Sequence, residues 1–245
     1  AGITGATGSI TADSTSISTN IGQAIISTCE LAFTNVDVNE NGAGISGSGN
    51  SDFTNVNIND NGGYGLTSNG DKTFTDVSIS NNSSWGFSGS GNVDLQNVII
   101  DSNSGTGITG FSGSFNADNS SLSANQNGGL SGSGDVTLTN CTIDGNSTGN
   151  NGGGMQVSGS INATDVSLQN NSGSKGGGLY LDGPLTADNL NIKGNNASNN
   201  GGGMHVNGTV SYTNSLLENN NSINGGGAFL IGENTFENIS VKNNS

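Results

Sequence analysis

The sequence predicts an all-β fold: a single-stranded right-handed parallel β-helix, a solenoid of about 11 coils of 20–25 residues with three short strands per coil. Three observations predict it. A block of twenty-odd residues recurs along the chain. Within each block apolar residues alternate with polar ones. One column of the aligned blocks is asparagine throughout.

The recurrence is plain in Phe33-Thr34-Asn35-Val36-Asp37-Val38, which is followed six residues after Asn35 by Asn41. It returns as Phe53-Thr54-Asn55-Val56-Asn57-Ile58 with Asn61, and as Phe74-Thr75-Asp76-Val77-Ser78-Ile79 with Asn82. Further copies start near Val93, Phe115, Val136, Ile161, Leu185, Val210 and Asn234, and a degenerate first copy starts at Ile10. Residues 1–245 therefore form one domain, with shorter coils over 10–135 and longer coils over 136–245. The extra residues of the longer coils enter between the asparagine and the glycines that follow it.

The strands come from the alternation. Val136-Thr137-Leu138, Cys141-Thr142-Ile143 and Met155-Gln156-Val157 are three such runs in a single copy. A period of two means one buried face and one wet face. No stretch carries the 3.6-residue period of a helix, and Asn, Gly and Ser fill the turns. Stacked at the ordinary strand spacing of ~4.8 Å, the coils make a rod on the order of 50 Å long. Its stability sums over neighbour interfaces.

The asparagine column reads Asn20, Asn41, Asn61, Asn82, Asn103, Asn125, Asn146, Asn171, Asn195, Asn220 and Asn244. Asparagine tolerates the left-handed backbone region at a strand-ending bend. Stacked in register, each amide can also donate to the next, as in cross-β ladders. Three residues earlier stands an apolar column running from Ile17 and Val38 to Leu217 and Val241. After the asparagine comes glycine plus an apolar residue, as in Gly65-Leu66 and Gly178-Leu179. Pairs such as Gly153-Gly154 and Gly202-Gly203 are expected to permit the tight bend.

Composition excludes several functions. The chain has 43 glycines, 19 acidic residues and only 4 basic ones, all lysine, for a net charge of −15. Such a chain cannot neutralise a phosphate backbone, so no nucleic-acid partner is expected. Anionic membrane surfaces are disfavoured likewise. No run approaches the ~20 apolar residues of a membrane span, so no direct membrane insertion is expected. With 29% hydrophobic residues, composition alone reads as low complexity. The repeat overrides that reading.

The later copies read Leu217-Glu218-Asn219-Asn220-Asn221-Ser222 before Gly225-Gly226-Gly227-Ala228, and Ile192-Lys193-Gly194-Asn195 before Gly201-Gly202-Gly203-Met204. This pattern resembles the repeat of chlamydial polymorphic outer membrane proteins, in which a Phe-x-x-Asn element alternates with Gly-Gly-Ala-aliphatic. Those proteins are autotransporter passengers that form surface β-helices and act as adhesins. The resemblance is best over about 136–245. Ile, Leu or Val stands where that family has Phe, and only Gly226-Gly227-Ala228 matches the second motif fully. The resemblance implies a non-enzymatic role outside the cell, as surface stalk, fibre segment or adhesin passenger, with a host-cell or glycan ligand as partner.

Carbohydrate-cleaving β-helices set the alternative, with carbohydrate binding beside it. Cleavage needs convergent carboxylates. Asp52 and Asp94 share a column with Thr73 between them, Glu40 and Asp60 sit beside turn asparagines, and Asp76 and Asp165 occupy the Asn35 column as turn formers. No catalytic residue is therefore expected. Calcium is the one cofactor considered, through Asp37, Glu40 and Asp60, and the solvated-turn reading is preferred. One histidine and two remote cysteines make no zinc cluster. Cys29 and Cys141 lie about five coils, roughly 24 Å, apart, beyond the ~7 Å reach of a disulfide. Cys141 shares an inward column with Val36, Val56, Val77 and Val98.

Aromatic residues supply the candidate binding surface. The outward position after the glycines runs Ser46, Thr67, Ser88, Thr109, Ser131, Gln156, Tyr180, His205, Phe229. Tyr180, His205 and Phe229 are expected to form one exposed strip, and Tyr64 with Trp85 a second. Among the Asn-x-Ser/Thr sequons, Asn119, Asn196 and Asn238 lie outside the ladder, whereas Asn82 and Asn146 belong to it and make poorer glycan acceptors. Open solenoid ends favour self-association or neighbouring segments of the same chain as partners.

Overall fold

The structure, a computed structural model, describes residues 1–5 and 8–245. It is a β-solenoid of about 11 turns with no helix among the described residues. The first strand of each coil joins an 11-stranded parallel sheet, which runs from Ile3–Gly5 through Ile108–Phe111 and Met155–Ser158 to Ala228–Ile231. The second and third strands line a 17-stranded sheet, as in Phe115–Asp118 with Ser121–Ser123. Register holds from coil to coil, so Val93, Phe115 and Val136 stand in one column and Leu95, Ala117 and Leu138 in the next.

The corner between the second and third strands is made by the Asn35 column. Asn35, Asn55, Asp76, Asn97, Asn119, Asn140, Asp165, Asn189, Asn214 and Asn238 all have φ between 50° and 56°. This left-handed conformation is one that Asn and Asp adopt at least cost. The turn-former reading of Asp76 and Asp165 therefore holds. The ladder asparagines do not have that conformation themselves. The left-handed residue is the one before each, among them Thr19, Glu40, Asp60, Ser102, Ala124 and Asn219.

The ladder itself is continuous. Asn20 Nδ2 donates to Asn41 Oδ1 at 2.8 Å, and the chain of amides continues to Asn220 donating to Asn244 at 3.0 Å. In between, the links 41–61, 61–82, 82–103, 103–125, 125–146, 146–171, 171–195 and 195–220 span 3.0–3.1 Å. Each oxygen also accepts the backbone N–H of the preceding ladder residue, as Asn171 Oδ1 does from Asn146 at 3.0 Å. From Asn41 to Asn220 each nitrogen uses its second hydrogen on a strand carbonyl one coil back, as Asn171 does on Ile143 at 2.9 Å. From Asn41 to Asn220 the column is buried, and its hydrogen-bonding capacity is met. That is the condition for burying polar groups without a penalty.

The recurrent glycine of each repeat serves this ladder rather than the bend. Gly154, Gly178 and Gly203 are not in the left-handed region. A Cβ on Gly178 would lie 2.7 Å from the Gly203 carbonyl oxygen and 3.1 Å from the Asn195 amide. The bend is turned instead by Gly152, Gly176, Gly201 and Gly225, with φ of 61–66°. These open the path into the next first strand.

The interior is filled by short columns of equivalent side chains. Phe33, Phe53 and Phe74 stack face to face with centroids 4.9 and 5.1 Å apart. Cys29 and Cys141 are free thiols in buried positions, and burial pushes the Cys141 thiol up. One interior position is out of character. Lys72 stands in the column of Val93 and Phe115 and is 1% exposed. Its ammonium lies 5.0 Å from the Phe87 centroid and donates to the Ser90 carbonyl.

The longer coils differ from the expected three-strand plan. Their extra residues form a third small sheet, Ser172–Lys175 paired with Asn196–Asn200, and single bridges extend it to Ser147 and to Asn221 and Asn224. This sheet projects beside the first-strand face. It begins only at the coil of Asn146, so a step stands where short coils meet long ones.

Candidate functional site

The two aromatic groups do stack. Tyr180 and His205 have centroids 5.2 Å apart and planes 15° apart, and His205 and Phe229 follow at 4.9 Å and 6°. Tyr64 and Trp85 stack at 5.9 Å and 3°. Parallel strands in register dictate this, because equivalent side chains meet one strand spacing apart.

The expected exposure of the longer strip is not found. Tyr180 and Phe229 are half-buried, and His205 is only 3% exposed. Two causes combine. Each ring face is covered by its neighbour, and the chain of the longer coils rises beside the strip, with Lys175 close enough to influence His205. Burial, with Lys175 second, pushes the His205 pKa down, while Asn207 and Asp182 act in the other direction. Among the described residues His205 Nδ1 has no hydrogen-bond partner. Tyr180 Oη donates to Asp182 at 3.3 Å, and burial, then Asp182, raises its pKa.

Tyr64 and Trp85 are half-buried. Tyr64 Oη accepts from Gln23 Nε2, two coils away, and the buried Trp85 Nε1 has no partner. Both groups thus spend ring faces on each other.

Between the two stacks lies a concavity of about 180 Å³ that sequence reasoning missed. Its floor is the outward column Thr109, Ser131, Gln156, and its wall is the first projecting loop, including Thr148, Asn150 and Asn151. Thr148 Oγ1 donates to Asn127 Oδ1 at 3.3 Å and accepts from the Asn150 N–H at 3.1 Å, which braces the wall. No charged side chain lines this space. The lengthening of the coils at residue 146 is visible in the sequence; that the insertion stands beside the outward column is not.

The acidic candidates are placed as follows. Asp52, Thr73 and Asp94 do share a register column. Asp52 also lines a shallow hollow of about 390 Å³ with Glu30 and Asp71 on the early coils. Glu40 and Asp60 occupy left-handed turn positions, both with φ of 56°. Asp37 accepts from Asn57 Nδ2 at 2.8 Å. Among the described residues, no group of three or more His, Cys, Asp or Glu side chains is arranged to hold a metal ion, and no helix is long and apolar enough to cross a membrane. The chain matches no protein-family model, no curated protein and no solved structure.

Proposed function

We propose that the chain is a non-enzymatic, extracellular scaffold: a stretch of surface stalk, fibre or adhesin passenger. The observation that carries this reading is the buried asparagine ladder, saturated from Asn41 to Asn220. Such a network ties every coil to the next by the same three hydrogen bonds and resists bending or slippage of register. A rod of constant section is what a spacer or display structure requires.

The disposition of the corner acids supports the same reading. Asp76, Asp165 and Asp188 each accept from a turn asparagine one coil away, at 2.7–2.9 Å. They stabilise corners and are spread along the rod rather than paired across a cleft. The resemblance of the later repeats to chlamydial polymorphic outer membrane proteins supports display at a cell surface, with neighbouring segments, other copies, a host cell or a glycan as partners. The carbohydrate-cleaving alternative is weakened at the concavity, where no carboxylate is available to protonate a glycosidic oxygen.

Antibody raised against the folded chain and applied to intact source cells tests the reading. Labelling of unpermeabilised cells is expected. Labelling that appears only after permeabilisation overturns it.

A further inference from the structure

We propose that the step at the junction of short and long coils is a binding site for a neutral oligosaccharide. The proposal goes beyond the scaffold reading, which stands whether or not a ligand binds here.

The concavity is lined by hydroxyls and amides, with Thr109, Ser131 and Gln156 below and Asn150 and Asn151 at the side. Among the described residues the Gln156, Asn150 and Asn151 side chains have no hydrogen-bond partner. They leave donors and acceptors facing outward together. An array of both kinds suits a ligand whose groups are both donors and acceptors, which is the character of a sugar hydroxyl.

A site free of charged side chains, on a chain of net charge −15, supplies no cation for a uronate or a sulfated sugar. The field of the whole molecule repels such ligands. The ligand class is therefore neutral.

The floor residues Thr109, Ser131 and Gln156 stand in register on three consecutive strands, on the order of 10 Å end to end, the length of a short oligosaccharide rather than of a single sugar. Their hydroxyls and amide, with the loop amides at the side, match the polar rim of such a chain.

Parallel strands hold Thr109, Ser131 and Gln156, and Thr148 braces the loop that carries Asn150, so little ordering cost falls on binding.

Trp85, the chain's only tryptophan, stands one coil from Thr106 in the wall of the site, so its fluorescence reports on occupancy next to it. The probes are cellotriose, chitotriose, mannotriose and maltotriose, with trigalacturonate as the charged control. At least one neutral trisaccharide is expected to give a saturable change in Trp85 emission. Gln156→Ala and Asn150→Ala should each weaken that binding about ten-fold with unchanged thermal unfolding, because neither side chain bonds to the protein. Calorimetric titration should give the same affinity as the fluorescence. Silence from all four neutral probes in both measurements overturns the proposal. So does binding that both variants leave intact, or trigalacturonate binding as tightly as the neutral sugars.

Discussion

Lys72 shows how far one residue can depart from its column. Its equivalents Val93, Phe115 and Val136 are apolar and fill the interior. Burial lowers its pKa from 10.5 to about 8, opposed by the nearby Asp71. The folded chain therefore binds the proton less tightly than the unfolded chain does. Between pH 8 and about 10.5 the unfolded state carries more protons, so stability rises with pH across that window. Below pH 8 the full cost of the buried ammonium is present. Above pH 10 Tyr212 works the other way, because burial raises its pKa and the folded chain holds that proton more tightly than the unfolded chain does. Lys72→Met, with an unbranched apolar side chain of similar length, should raise stability at pH 7 by about 2–3 kcal/mol. It should also flatten the rise in melting temperature between pH 8 and 10. A variant less stable than the parent at pH 7 would show that the amine, with its carbonyl and ring partners, contributes net stability.

At the scale of the strand and turn, asparagine and glycine act as one device. The asparagine column was legible because in-register stacking repeats one chemical requirement at every coil, and a repeated requirement leaves a repeated letter. The left-handed position before it was illegible. Thr19, Ser102 and Ala124 share that conformation with Asn219, so no residue type marks it. The glycine column was legible as a pattern but not as a cause. Its lack of a side chain makes room for the carbonyl and amide of the next coil, a contact between residues far apart in sequence. Gly178→Ala places a methyl group 2.7 Å from the Gly203 oxygen and 3.1 Å from the Asn195 amide. It should cost about 1–3 kcal/mol as an overpacking change that backbone on both sides resists. Gly149→Ala is the control. Its Cβ meets nothing within 4 Å, so the change should be neutral or slightly stabilising through the unfolded chain. Chemical denaturation of both variants distinguishes a loss of space from a loss of backbone freedom, and equal losses would refute the close-approach account. The burial of His205 was hidden for a related reason. Periodicity assigns a side chain to the outer face, and only the position of the third small sheet decides whether that face is wet.

For the whole molecule the consequence is modularity. Each coil meets only its neighbours, and every interface repeats the same ladder link, the same corner residues and the same register. Stability in such a stack is close to a sum over coils and interfaces. A whole coil should therefore be removable, whereas part of one should not. Deleting residues 171–194 takes out one 24-residue repeat, the distance from Asn171 to Asn195. Asn195 then falls into the place of Asn171 and can accept from both the backbone N–H and the Nδ2 of Asn146. Leu179, Leu185 and Ile192 leave their columns together, and Met204, Val210 and Leu217 close up against Met155, Ile161 and Leu168. Small-angle scattering should show a rod shorter by ~4.8 Å, with strand content per residue unchanged. Deleting residues 171–182 removes half a coil and moves the next ladder amide off the column. It leaves Asn146 without its acceptor and mismatches inward and outward faces beyond the cut. That variant should unfold cooperatively at far lower denaturant or fail to fold. If the half-coil deletion is tolerated as well as the whole-coil one, the ladder does not set the register of the rod.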